Sequence, residues 1–133
     1  EGDLTTPKGI FNLGNIYYRS DRVQKPFSKL KSISIKKNMG WCDDPNSKFY
    51  NKLIKIKKNL KISHEKLYRK DHKYDFFILI KYNYKNPIKL KGSAIFLHLT
   101  KNYLPTKGCI ALCEKDFLIL AKLINKKTKI KIN

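Results

Sequence analysis

Gly92-Ser93-Ala94-Ile95-Phe96-Leu97-His98 and, after a short gap, Pro105-Thr106-Lys107-Gly108-Cys109-Ile110-Ala111-Leu112 decide how this chain is read. The first stretch is a continuous apolar run ending on a histidine. With Leu99 it has the length and composition of a central strand. The second approaches a Gly-Cys turn through a Pro-Thr loop, and the apolar residues after the turn read as the approach to a helix. His98 and Cys109 thus lie eleven residues apart, one closing a strand and one in a turn. A thiol attacks only as the thiolate, and a nearby imidazole is the usual way to make one at neutral pH.

Each residue of the pair has two readings. Free cysteine is often a small buried hydrophobe, whereas a cysteine at an exposed loop end after glycine is placed for reactivity. A thiolate at Cys109 would be favoured by the N-terminus of the following helix, and the N–H groups around Gly108 and Cys109 could form an oxyanion hole. His98 is either a hydrogen-bonded core histidine or the base that serves the thiol. His64 and His72 sit among charged residues and read as solvent-facing. No zinc-ligand pairing is recognisable among the histidines and cysteines.

Outward from the pair, the pattern is mostly extended. Ile10-Phe11-Asn12-Leu13 follows the turn Thr6-Pro7-Lys8-Gly9 and reads as a strand. Leu30 to Lys36 alternates at period two, Leu53 to Ile56 is another strand, and Tyr74 to Tyr82 is apolar enough to be central. Asp43-Asp44-Pro45-Asn46-Ser47 carries turn chemistry, and residues 87–92 read as a loop. Ser63 to Leu67 reads as a short helix capped by Ser63. The clearest helix is Lys115 to Ile124, with Phe117, Leu118, Leu120, Ala121 and Ile124 on one face. Glu114 and Asp116 near its start and Lys126-Lys127 beyond its end suit the helix dipole. Lys129 to Ile132 alternates again and reads as a closing strand. The expectation is one mainly β (α+β) domain over residues 1–133, with one or two helices.

The chain carries a formal net charge of +20, but only Arg19, Arg22 and Arg69 are arginine. Specific readout of bases and phosphates leans on the planar arginine fork, so no specific nucleic-acid partner is expected. Lysine beside abundant Asn, Ile and Tyr reads as compositional drift in an AT-rich genome, with a residual attraction for anionic polymers. The tyrosines are scattered and match no RNA-binding sheet signature. No run of about 18 apolar residues is present, so no membrane span is expected. The opening Glu1-Gly2-Asp3 reads as mid-protein, so the lack of a targeting signal in this stretch decides nothing. Trp41 reads as core or pocket wall. Cys113 reads as structural at a helix cap, and a disulfide to Cys42 is open if the compartment is oxidising.

Taken together, these residues resemble the YkuD-type L,D-transpeptidase catalytic domain, in its compact branch with a short histidine-to-cysteine spacing. The matching pieces run nearly end to end. They are Glu1-Gly2-Asp3 with residues 6–11, Tyr18-Arg19 with Asp21-Arg22, and residues 40–45 with Tyr50-Asn51. Tyr68-Arg69 with Asp71 and Tyr74-Asp75, then Tyr82-Asn83, residues 92–99 and residues 105–112 complete the set.

The resemblance implies a β-sandwich of mixed sheets in which strands precede Glu1. It implies a periplasmic or cell-envelope enzyme of bacteria working on peptidoglycan stem peptides without a cofactor or metal. By motif, Cys109 is the nucleophile and His98 its base, Gly108 shapes the oxyanion region, and Thr106, Ser93 and Asn83 line the substrate pocket. The implied reaction is thioester formation with a stem tetrapeptide and transfer to an amine. Transfer to water, as an L,D-carboxypeptidase or amidase, is the alternative on the same substrate. A non-catalytic basic module holding an anionic polymer is the alternative from another class. Two departures stand out. The broader family has histidine where this chain has Lys107, and commonly arginine where it has Ala111, removing a natural partner for a substrate carboxylate.

Overall fold

The structure, a computed structural model, describes residues 6–101, 106 and 108–133. Glu1-Gly2-Asp3, Pro105 and Lys107 lie outside the described residues. The strands are β1 (Gly9–Tyr18), β2 (Ser32–Ser34), β3 (Met39–Cys42), β4 (Leu53–Lys55), β5 (His64–Lys66), β6 (Phe76–Ile80), β7 (Phe96–Leu99), β8 (Ile110–Leu112) and β9 (Lys129–Ile132), with one helix, α1 (Glu114–Leu123). The fold is the mainly β, α+β architecture expected, with a single helix among the described residues.

A mixed sheet ordered β2-β1-β6-β7-β8 forms the middle layer, and β9 pairs with the first half of β1. The β6 segment Phe-Phe-Ile-Leu-Ile is buried at every position, as a strand covered on both faces must be. Its even-numbered residues Phe76, Ile78 and Ile80 pack with Leu97, Leu99 and the helix residues Phe117 and Ala121. Its odd-numbered residues Phe77 and Leu79 pack with Phe96, Trp41, Ile35 and Leu67. The helix therefore covers one face of the middle sheet. The small antiparallel sheet β4-β3-β5 lies towards the other, with Trp41 of β3 edge-on to Phe96 at 5.3 Å between ring centroids.

Three expectations are corrected. Residues 63–67 do not form a helix. Ser63 donates its hydroxyl to Asp43 at 2.6 Å rather than capping, and His64 to Lys66 pair with β3 as an edge strand. The apolar residues after Cys109 form β8, parallel to β7, before the helix begins. Cys109 is thus separated from the helix N-terminus by a strand, and the dipole argument for its thiolate fails. Residues 30–36 shrink to a three-residue strand parallel to β1, with Leu30 and Ile35 outside it and buried in opposite cores. Cys113 does occupy the helix N-cap, without a side-chain capping bond, and no disulfide joins it to Cys42.

Candidate active site

The register of β7 and β8 places the pair. Leu97 lies opposite Ile110 and His98 opposite Ala111. Side chains alternate across a strand, so Phe96, His98, Cys109 and Ala111 share the face turned away from the helix. Cys109 sits one step back from β8 beside Phe96. The Phe96 N–H donates to Sγ at 3.4 Å, and the S–H donates to the Ala94 carbonyl at 3.3 Å. Gly108 precedes it at φ +103, a backbone conformation that disfavours any side chain. The Thr106 hydroxyl donates to the Cys109 carbonyl and closes the turn.

His98 is buried at 5% exposure and stands edge-on to Tyr74, ring centroids 5.6 Å apart. Its Nδ1 lies 2.9 Å from the Leu99 carbonyl. A carbonyl only accepts, so Nδ1 carries the proton and Nε2 is left as the basic nitrogen. Beneath it, Tyr74, Phe77 and Phe96 pack on one another with centroids 4.6 to 5.7 Å apart. That aromatic bed holds the imidazole without supplying a charge.

Cys109 and His98 open onto one cleft of about 580 Å³. Ser93, Ala94 and Thr106 line it from the segments before β7 and β8, and Asp43, His64 and Glu65 from the small sheet and its flanks. Arg69, Lys73 and Tyr74 complete the wall, and Tyr74 donates its hydroxyl to Glu65. His64, expected to face solvent, is half-buried and lines the cleft, whereas His72 is 61% exposed at its side chain beside Asp75. Asn83 is not among the cleft residues. Its amide holds the 88–92 loop by bonds to the backbone of Ile88 and Gly92. Among the described residues, no group of three or more His, Cys, Asp or Glu is placed to hold a metal ion.

Burial pushes the Cys109 thiol up to about 11. The Phe96 N–H opposes this and the Glu65 carboxylate adds to it. Burial also lowers the His98 pKa. The bond to Leu99 works against that fall, while the Lys73 and Arg69 cations reinforce it. Both effects favour neutral forms, so the resting pair is a thiol and an imidazole.

Two further sets of residues shape the site. Asn51, 1% exposed, accepts from the Trp41 indole at 2.8 Å and from the Ala94 N–H at 3.1 Å. It donates to the carbonyls of Tyr82 and Asn83. It thereby ties the small sheet to the entry of β7 and fixes Ala94, whose φ of +54 is unusual for a non-glycine residue. The second set is the arginines, all three of which meet at residues 68–75. Arg19 donates to the Arg69 carbonyl, and Arg22 to the Lys70 and Asp71 carbonyls and to the Asp75 carboxylate. Arg69 makes a two-bond pair with Asp71. The fork that can hold two partners at once is used here to shape the loop that delivers Arg69, Lys73 and Tyr74.

The mixed sheet thus sets a cysteine turn and a histidine on one face of two parallel neighbours, where both line one cleft. Residues 1–132 match the YkuD family, the L,D-transpeptidase catalytic domain, and the chain belongs to that family. Its members are L,D-transpeptidase enzymes of the cell envelope that act on peptidoglycan. No curated protein and no solved structure gives a match. No helix among the described residues is long and apolar enough to cross a membrane.

Proposed function

We propose that this chain is a cysteine acyltransferase of the bacterial periplasm or cell envelope, acting on peptidoglycan stem tetrapeptides with Cys109 as nucleophile and His98 as base. The observation that carries the reading is the shared face of β7 and β8. It turns Cys109 and His98 into the same cleft, with Nε2 of the imidazole left basic.

In the acylation step the S–H proton passes to His98 Nε2 and the sulfur attacks the carbonyl carbon before the terminal D-amino acid. The C–N bond breaks, the imidazolium returns its proton to the leaving amine, and a thioester remains on Cys109. In the second step an acceptor amine loses a proton to His98, attacks the thioester and displaces the sulfur. The outcome is a cross-link, and water in the amine's place gives a trimmed stem. N–H groups at the Gly108–Cys109 turn are the candidate donors to the developing oxyanion. Ser93 and Thr106 stand on the substrate wall. No step calls for a cofactor.

Mass spectrometry after incubation with a stem tetrapeptide or a carbapenem-like acylating agent tests this. An adduct on Cys109 in the parent and none in Cys109→Ala is expected, and equal labelling of the two would sink the proposal. Intact muropeptides in the same assay report whether amine or water resolves the thioester. A basic binding module would instead show steeply salt-dependent polymer binding that survives Cys109→Ala.

A further inference from the structure

We propose that Lys73, supported by the Arg69–Asp71 pair, forms the subsite for the carboxylate of the residue that leaves. The inference rests on the acyltransferase reading above, and it starts from the order of groups along β7. The thiol is held at the beginning of the strand, between the Ala94 carbonyl and the Phe96 N–H. The imidazole follows at position 98. Lys73 comes last, its carbonyl accepting the Leu99 N–H at 3.0 Å. The cleft therefore reads thiol, imidazole, cation in one direction.

The reaction imposes the same order on the substrate. The acyl carbon must meet the sulfur. The nitrogen that leaves must meet the imidazolium that protonates it. The carboxylate of an α-amino acid is one carbon beyond that nitrogen, so it lies past the imidazole, where Lys73 stands. Charge on the two sides of the cleft agrees. The Glu65 carboxylate acts on the thiol, whereas Lys73 and Arg69 act on the imidazole.

The cations are also held in place and one remains available. Arg19 and Arg22 fix the backbone of residues 69–71. Arg69 uses Nε and Nη2 on Asp71 and lies 5.1 Å from the Tyr74 ring. Asp71 already offsets the Arg69 charge, so the net attraction rests on Lys73. Its ammonium group has no hydrogen-bond or ion-pair partner among the described residues, although it lines the cleft. Position 111, two residues after the nucleophile, is alanine here and supplies no charge. The subsite thus comes from the loop before β6 rather than from the nucleophile's own strand.

Two synthetic stem tetrapeptides test this, one ending in D-alanine with a free carboxylate and one in D-alaninamide. Both leave the same acyl group on Cys109, so mass spectrometry follows both acylation rates on one product. The neutral amide is chemically the better leaving group, so a preference for the carboxylate reports recognition. The parent is expected to acylate roughly ten- to a hundredfold faster with the carboxylate, the range of a charge-assisted hydrogen bond. Added salt should shrink that ratio. Lys73→Met should bring the ratio to one or below, and Arg69→Gln should lower it, while Lys55→Ala on exposed β4 keeps the parent's ratio. Equal rates in the parent, or a ratio unchanged in Lys73→Met, overturns the subsite. Because Arg69→Gln also disturbs the loop, Lys73→Met carries the decision. If neither peptide acylates the parent, the acyltransferase reading falls and the subsite with it.

Discussion

A resting thiol and imidazole differ from a preformed thiolate–imidazolium pair in how Cys109 reacts with a small alkylating agent. With the thiol pushed up to about 11, the thiolate fraction at pH 7 is about one in ten thousand. An unperturbed cysteine of pKa about 8.5 has about 3% thiolate, so Cys109 starts about 300-fold poorer in the reactive form. A more basic thiolate is a better nucleophile, and a Brønsted slope of about 0.4–0.5 over roughly 2.5 units returns about tenfold. The net expectation is alkylation by iodoacetamide about 30-fold slower than for a model thiol at pH 7.

Access to the half-buried sulfur also slows the reaction, so the decisive quantity is the pH dependence within one protein. The rate at Cys109, followed by peptide mass mapping, should climb about tenfold per unit from pH 7 towards pH 10 without levelling. Glu65→Gln removes a charge that raises the thiol and should move the inflection to lower pH. A plateau reached below about pH 8 would refute the reasoning, because it would mean a thiolate already stabilised by a charged imidazole.

Three other outcomes are expected. Asn51→Ala strands the buried Trp41 and Ala94 N–H groups and should cost about 2–4 kcal/mol in denaturant unfolding, and Asn51→Asp should not rescue it, because a buried carboxylate would face the Tyr82 and Asn83 carbonyls. His98 holds its proton less tightly when folded, so the unfolded chain gains protons first as pH falls below about 6.5. The stability this residue adds is therefore full above that pH and is lost on acidification, and His98→Gln should show a smaller fall in Tm between pH 7 and pH 5. An alanine inserted between Cys109 and Ile110 should abolish acylation with little change in Tm, because β8 keeps its register while the thiol moves off its position. Retained labelling at Cys109 would contradict that.

The parts of this fold legible in sequence are those whose burial imposes a single period. The β6 segment has a continuous apolar run because both of its faces are covered, and α1 has a 3.6-residue stripe because one face is. β9 alternates because it is half-buried at an edge. Ile110-Ala111-Leu112 fits helix and strand equally, and only pairing with β7 makes it a strand. β3 has no signal of its own, since Met-Gly-Trp-Cys does not alternate. Residues 63–67 carried a genuine capping signal, but an edge of the small sheet and the Asp43 carboxylate offered better partners. For the site, Cys109, His98, Ser93 and Thr106 do share one cleft. Glu65, Arg69, Lys73 and Tyr74 come from a segment far away in sequence, where Arg69 and Tyr74 fall in a block that carries the family resemblance but no local pattern places any of the four in the cleft. The scarcity of arginine is a second signal. A chain that is basic through lysine yet directs all three arginines to one loop is using them for geometry, not for charge.

The short spacing between His98 and Cys109 follows from the sheet. Parallel neighbours cannot be joined by a tight turn, and residues 100–109 are close to the shortest chain that can leave β7 and return beside it. The crossover length alone does not put the two side chains on one face. Parity does that: Ala111 is the partner of His98, and Cys109 is two residues before it, hence on the same face. One residue more or fewer between the thiol and its partnered strand would turn Cys109 into the layer packed against α1. The left-handed glycine at 108 lets the loop end abruptly, so that Cys109 arrives beside Phe96 already in sheet geometry. Glycine, cysteine and the strand after them thus act as one unit that sets a register, and that register carries the thiol to the face that holds the imidazole.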